Sequence, residues 1–164
     1  MIIREAKISD AFSIAKVSVD AWRTTYKGIL SYEYLNNLSY EQREQAMKNI
    51  ISNSTRDGIS IFVAEESKNG IVGFSTCGRE RSNDEIYHGE LYDIYIIKEY
   101  QNKGIGSMLL NYVQERLSSQ KLQPMLIWVL EDNKPACNFY EIRGGNRIKE
   151  RYMNIENVIL KEVA

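Results

Sequence analysis

Residues 95–117, YIIKEYQNKGIGSMLLNYVQERL, constrain this chain more than any other stretch. An apolar run ends at Lys98, and a short polar loop follows with Gly104 and Gly106. Then Ile105, Met108, Leu109, Tyr112, Val113 and Leu117 recur at helical spacing. This is a buried strand running directly into an amphipathic helix through a glycine loop. The first turn of any helix leaves backbone N–H groups without intrahelical partners, and the macrodipole adds partial positive charge there. Glycine admits unusual backbone angles and removes side chains that would hold a ligand away. Such a junction suits an anion, a diphosphate in particular. Two familiar phosphate loops are excluded by the letters. No lysine follows Gly106 as a Walker A loop requires, and a dinucleotide fingerprint needs glycine where Leu109 stands.

The remaining elements follow from periodicity and punctuation. Ile2 to Arg4 reads as a short strand, and Ser9 or Asp10 caps a helix with apolar positions Ala11, Ile14, Ala15, Ala21 and Trp22. Gly28 interrupts that pattern. Tyr32 to Leu38 is a short helix, and Ser39-x-x-Gln42 opens another that runs to about Ile51. Ile59 to Glu65 and Ile71 to Cys77 are strands joined by the turn Lys68-Asn69-Gly70. A longer strand spans roughly Ile86 to Ile97, and its apolar half, Ile94 to Ile97, predicts cover on both faces. After the glycine-led helix come a strand over Met125 to Leu130 and a helix capped by Asp132 or Asn133. That helix buries Ala136, Phe139 and Tyr140 and stops at Gly144-Gly145. Two weaker strands, near Arg147 to Met153 and Val158 to Val163, follow. Helices alternate with strands only in the second half, so the fold class is α/β with a mixed sheet rather than a doubly wound one.

Composition narrows the function classes. At 164 residues the expectation is one domain over 1–164 with a core that needs no disulfides. A net charge of −1 gives no global reason to expect nucleic-acid or membrane-surface binding, so an anionic ligand must be held locally. No apolar run approaches a membrane span, and MIIREAKISD does not read as a signal peptide. Cys77 and Cys137 lack C-x-x-C spacing and His88 is the only histidine, so no metal site is expected. Both cysteines read as buried apolar residues of a reduced, cytoplasmic protein.

The string Gln101-x-x-Gly104-x-Gly106 after an apolar strand resembles the Q/R-x-x-G-x-G/A motif of the GNAT superfamily of acetyl-CoA-dependent N-acetyltransferases. The likeness continues in order, with Glu90 near the start of the preceding strand and NKPACNFYEIRGG, residues 133–145, similar to the family's N-x-x-A-x-x-F-Y-x-x-x-G signature. About 60 residues carry these elements. The resemblance implies a single domain with a central, twisted mixed sheet of about seven strands, splayed at a β-bulge, with helices on both faces. It implies acetyl-CoA as co-substrate, without a metal, and transfer to a primary amine of a small molecule by direct attack in a ternary complex. A protein or peptide N-acetyltransferase and a non-catalytic CoA-binding module are the alternatives.

Residue by residue, the resemblance implies that backbone groups of Ile94, Tyr95 and Ile96 hold the pantetheine arm. The loop Gln101, Asn102, Lys103, Gly104, Ile105, Gly106 and Ser107 takes the pyrophosphate, and Asn133 contacts the pantetheine or caps its helix. Tyr140 protonates the departing CoA thiolate or hydrogen-bonds its sulfur. An amine near pKa 10 needs a base at neutral pH, and Glu90 is the first candidate, with Asp93 and then His88 behind it. Asp93 stands out because a carboxylate inside an apolar strand needs a reason. Trp22, Tyr26 and Tyr32, with Tyr34, are candidates to line the amine pocket. The final strand is shorter than in many relatives, which bears on the far wall of that pocket and leaves a monomer or a homodimer open.

Overall fold

The computed structural model describes residues 1–164. Eight strands form two sheets, one of five strands in the order β1-β2-β3-β4-β5 and one of three in the order β6-β8-β7. The sequence reading of about seven strands in one sheet therefore resolves into a five-stranded and a three-stranded sheet. The division falls inside a single expected strand, because Met125 to Leu130 is interrupted at Trp128 into β5 (Met125–Ile127) and β6 (Val129–Leu130). By its internal contacts the chain forms two compact units, residues 1–21 with 39–126 and residues 22–38 with 127–164.

The first unit is built on an antiparallel meander. β1 (Ile2–Glu5), β2 (Ser60–Glu66), β3 (Gly70–Arg79) and β4 (Gly89–Ile96) pair in succession, with β5 next to β4. On one sheet face, Ile61, Val63 and Phe74 pack with Ala11, Ile14 and Val17 of α1 (Ala11–Thr25) and Met47 of α3 (Tyr40–Asp57). Tyr95 and Ile97 close the edge of this cluster. α4 (Ile105–Ser119) buries Ile105, Leu109, Leu110, Val113 and Leu117, while Met108 and Tyr112 stay largely exposed.

Local chemistry explains the differences from the sequence reading. Neither Ser9 nor Asp10 caps α1. Asp10 instead accepts the Lys7 N–H at 2.7 Å and pairs with Arg4, which also holds Glu65, so the chain enters α1 through a 3₁₀ turn at Ile8–Asp10. Ser39 caps α3 as expected, accepting the Gln42 N–H at 3.2 Å, but the helix runs on to Asp57 and ends on Gly58 at φ 67°. β4 begins at Gly89 rather than Ile86, because Glu80 and Asp84 hold residues 80–87 in a bend by accepting the N–H groups of Ser82, Asp84, Ile86 and Tyr87.

The second unit holds the three-stranded sheet, in which β8 (Val158–Val163) pairs with both β6 and β7 (Glu150–Ile155). It also holds α5 (Lys134–Ile142) and the short helix α2, which covers Tyr32–Asn36 rather than Tyr32–Leu38. Arg23 explains the early stop of α2: its guanidinium donates to the carbonyls of Leu35, Asn36 and Leu38 at 2.9–3.2 Å and takes the place of further helix. In α5, Cys137 is buried while Ala136, Phe139 and Tyr140 are half-buried. Cys77 and Cys137 are both free and buried, and desolvation pushes both thiols up, Cys77 to about 12. No helix is long and apolar enough to cross a membrane.

Candidate active site

The glycine loop has the geometry its sequence suggests. Asn102 at φ 58° and Gly104 at φ 81° both take left-handed backbone angles, turning the chain sharply between β4 and α4. Gln101 braces the turn by donating from Nε2 to the Ile96 carbonyl at 3.0 Å, and Lys103 lies over the Tyr100 ring at 4.8 Å. Gly104 is the N-cap of α4 and has no side chain with which to cap it. By contrast, Ser31, Ser39 and Asn133 accept backbone N–H groups at the starts of α2, α3 and α5. The N-cap residue of α4 thus supplies no side-chain acceptor, on a 15-residue helix whose dipole points at the loop. A Cβ at Gly104 would meet no neighbour, so the constraint there is the left-handed φ.

β4 supplies the second part. Leu91 pairs with Cys77 and Asp93 with Thr76, so Tyr92 is an extra residue and the strand bulges there. Beyond the bulge the residues Ile94 to Ile97 are half-buried, not covered on both faces as their apolar run suggested.

Three carboxylate or imidazole candidates lie near the bulge and their surroundings differ. Glu90 is 1% exposed, and both its oxygens are taken up by Arg81. Nε and the Arg81 backbone N–H each donate to Oε2 at 3.1 Å, and Nη2 forms a short bond to Oε1. Arg81 in turn stacks on the Tyr92 ring at 4.3 Å. Asp93 lies on the sheet face that carries Phe74 and Tyr95, with Oδ1 sealed from solvent and lacking any hydrogen-bond partner. Burial pushes its carboxyl up to about 6, and hydrogen bonding from Thr76 and the charges of Arg43 and Arg81 offset only part of that. His88 is exposed, its backbone engaged with Glu80 and Pro124.

In the second unit, Asn133 caps α5 by accepting the Ala136 N–H at 3.3 Å. Tyr140 lies six residues into α5, edge-on to Phe139 at 5.1 Å. The aromatic candidates separate: Trp22 packs edge-on to Tyr26 at 4.8 Å and lies 6.5 Å from Tyr34, but Tyr32 is 83% exposed. Tyr34, rather than Tyr32, shares the cluster. No group of His, Cys, Asp and Glu residues is assembled to hold a metal.

Residues 19–144 match the acetyltransferase (GNAT) family. The chain belongs to that family. Its members are acyltransferases, and relatives named N-acetyltransferases match most of the chain. It is 41% identical to the uncharacterized N-acetyltransferase YuaI of Bacillus subtilis over 161 residues, covering 98% of this chain and 89% of that protein. It is 24% identical to a spermidine N(1)-acetyltransferase of Thermoplasma acidophilum, covering 87% of this chain and 86% of the relative. Among solved structures, the PaiA N-acetyltransferase of Thermoplasma acidophilum in complex with coenzyme A shares the GNAT fold at a TM-score of 0.75 and 22% identity, covering 99% and 96% of the two chains.

Proposed function

We propose that this GNAT member transfers the acetyl group of acetyl-CoA to a primary amine by direct attack of the neutral amine on the thioester carbon. The observation that carries this reading is the glycine N-cap of α4 behind a doubly left-handed loop. Donors of Asn102 to Ser107 receive the pyrophosphate there, with Gln101 holding the loop against β4. The related fold solved with coenzyme A supports the same carrier. The half-buried stretch Ile94 to Ile96 offers its backbone to the pantetheine arm. Asp93 stands about 13 Å up the strand from Ile97 by the rise of extended chain.

Asp93 is the proposed general base. A carboxylate poised near pH 6 with a buried, unsatisfied oxygen is better suited to taking a proton from an amine than Glu90, whose charge is spent on Arg81. Tyr140 is the proposed acid at the CoA sulfur. Tyr140→Phe should lower kcat by about 10- to 100-fold with acetyl-CoA affinity little changed. Equal turnover in stopped assays would remove Tyr140 from the chemistry.

The direct test of the whole reading is a thermal-shift titration with acetyl-CoA, followed by mass detection of acetylated amines. A midpoint that climbs with ligand concentration is expected. Gly104→Val should weaken acetyl-CoA binding tenfold or more, since a β-branched residue resists the left-handed angle that opens the loop. Calorimetry showing wild-type affinity in that variant would refute the pyrophosphate assignment.

A further inference from the structure

β4 carries one residue more than its partner strand, and two side chains compete for a single place. Leu91 is fully buried opposite Cys77, and Ile94 stands opposite Ser75. Between Ser75 and Cys77 there is only Thr76, but between Leu91 and Ile94 there are Tyr92 and Asp93. Either can pair with Thr76, leaving the other as the extra residue, without disturbing the register of Leu91 or Ile94. Asp93 takes the place, and Tyr92 is left over.

A notch in β3 decides between them. Tyr92 Oη donates to the Arg79 carbonyl at 2.7 Å, which ties the extra residue to β3 beyond Thr76. The tip of its ring lies against Gly78, where a Cβ would meet Oη at 2.5 Å and Cζ at 3.2 Å, so only glycine leaves room for the phenol. The Gly58 carbonyl oxygen, 2.9 Å from the same point, closes the notch. Burial pushes the phenol up to about 12, so this donor keeps its proton across the neutral range. The Arg81 guanidinium covers the ring face, but both holds on the ring tip come from β3 and persist without it.

We propose that Tyr92 is a positioning residue: lodged in the Gly78 notch, it occupies the extra position of the bulge and so delivers Asp93 to the place opposite Thr76. This inference rests on the acetyl-transfer reading above, with Asp93 as base, and adds a residue that acts through Asp93. In that place Asp93 Oδ1 is sealed from solvent, and the groups facing the carboxyl are Thr76 and Cys77 of β3, Arg43 of α3 and Arg81 of the bend. Displaced from it, the carboxyl loses the burial that makes it hold its proton.

The test compares Tyr92→Phe, which keeps the ring in the notch and loses one hydrogen bond, with Tyr92→Ala, which empties the notch. Tyr92→Leu, too short to reach Gly78, takes the place of an alanine variant that does not fold. The Asp93 side-chain carboxyl is followed by ¹³C NMR from pH 4 to 8 in the full-length protein, its signal assigned by its loss in Asp93→Asn. The midpoint near 6 should stay in place in Tyr92→Phe and fall by about one pH unit or more in Tyr92→Ala. With propylamine, spermidine and alanine amide as acceptors, kcat/KM at pH 7 should fall about 10- to 100-fold in Tyr92→Ala and stay within about threefold of wild type in Tyr92→Phe. A folded Tyr92→Ala or Tyr92→Leu protein whose Asp93 titrates as in wild type overturns the proposal. A midpoint that falls while no form of the protein acetylates any amine supports the positioning role and counts against the acetyl-transfer reading alone.

Discussion

Replacing Asp93 by asparagine is expected to make the protein more stable and far less active at the same time. Its carboxyl holds a proton more tightly in the folded chain, at about 6, than in the unfolded one, near 3.8. Between those values the native state binds the extra proton, so stability falls as pH rises from about 4 to about 6, and the full penalty persists above. The shift of about two units corresponds to about 3 kcal/mol, and the uncharged amide should recover about 1–3 kcal/mol of it at pH 7. Catalysis moves the opposite way. Loss of a positioned base costs about 10²- to 10⁴-fold in kcat/KM. The pH profile carries its own signature. Asp93 must be ionised to take the proton of the bound ammonium, so log kcat/KM should climb with slope one below pH 6 and flatten above it. Asp93→Asn should show slope one throughout. Denaturant titrations at pH 7 and a rate profile from pH 5 to 8 check both halves; a variant that keeps the bend excludes Asp93 as the base.

Arg81→Ala should be the reverse case, costing stability but not chemistry. It removes the guanidinium partner of a carboxylate that is 1% exposed and leaves buried Glu90 with only the backbone N–H of residue 81. Breaking such a pair from that side typically costs about 3–5 kcal/mol. Glu90→Gln should cost less, about 1–3 kcal/mol, because the guanidinium it releases is already 58% exposed and returns to water. Activity per folded molecule, measured well below the new melting temperature, should stay within about twofold of wild type for both. A large loss of kcat in folded Glu90→Gln would return that residue to the reaction.

These two carboxylates also show what the sequence could and could not tell. The letters place Glu90 and Asp93 three apart on one strand, and both face demands on a base. What separates them is Arg81, reaching across the bend of residues 80–87 from a stretch with no periodicity to reveal it. The loop itself was legible, since glycines between an apolar strand and an amphipathic helix leave few structural options. Ser39 and Asn133 were legible as caps because capping is decided within four residues. The extension of α3 through 52–57, SNSTRD, was not, as that segment is polar all round and lacks an apolar stripe. Nor was the break at Trp128, which lies in a run of uninterrupted apolar letters, MLIWVL, and depends on which sheet each half joins.

The two buried cysteines carry a practical consequence. With Cys77 titrating only near pH 12 and Cys137 also shifted upward, neither presents an appreciable thiolate at neutral pH. A chromogenic sulfhydryl reagent added to the folded protein would therefore register free coenzyme leaving the reaction against an almost silent background. The same shielding keeps the protein from forming mixed disulfides with its own by-product.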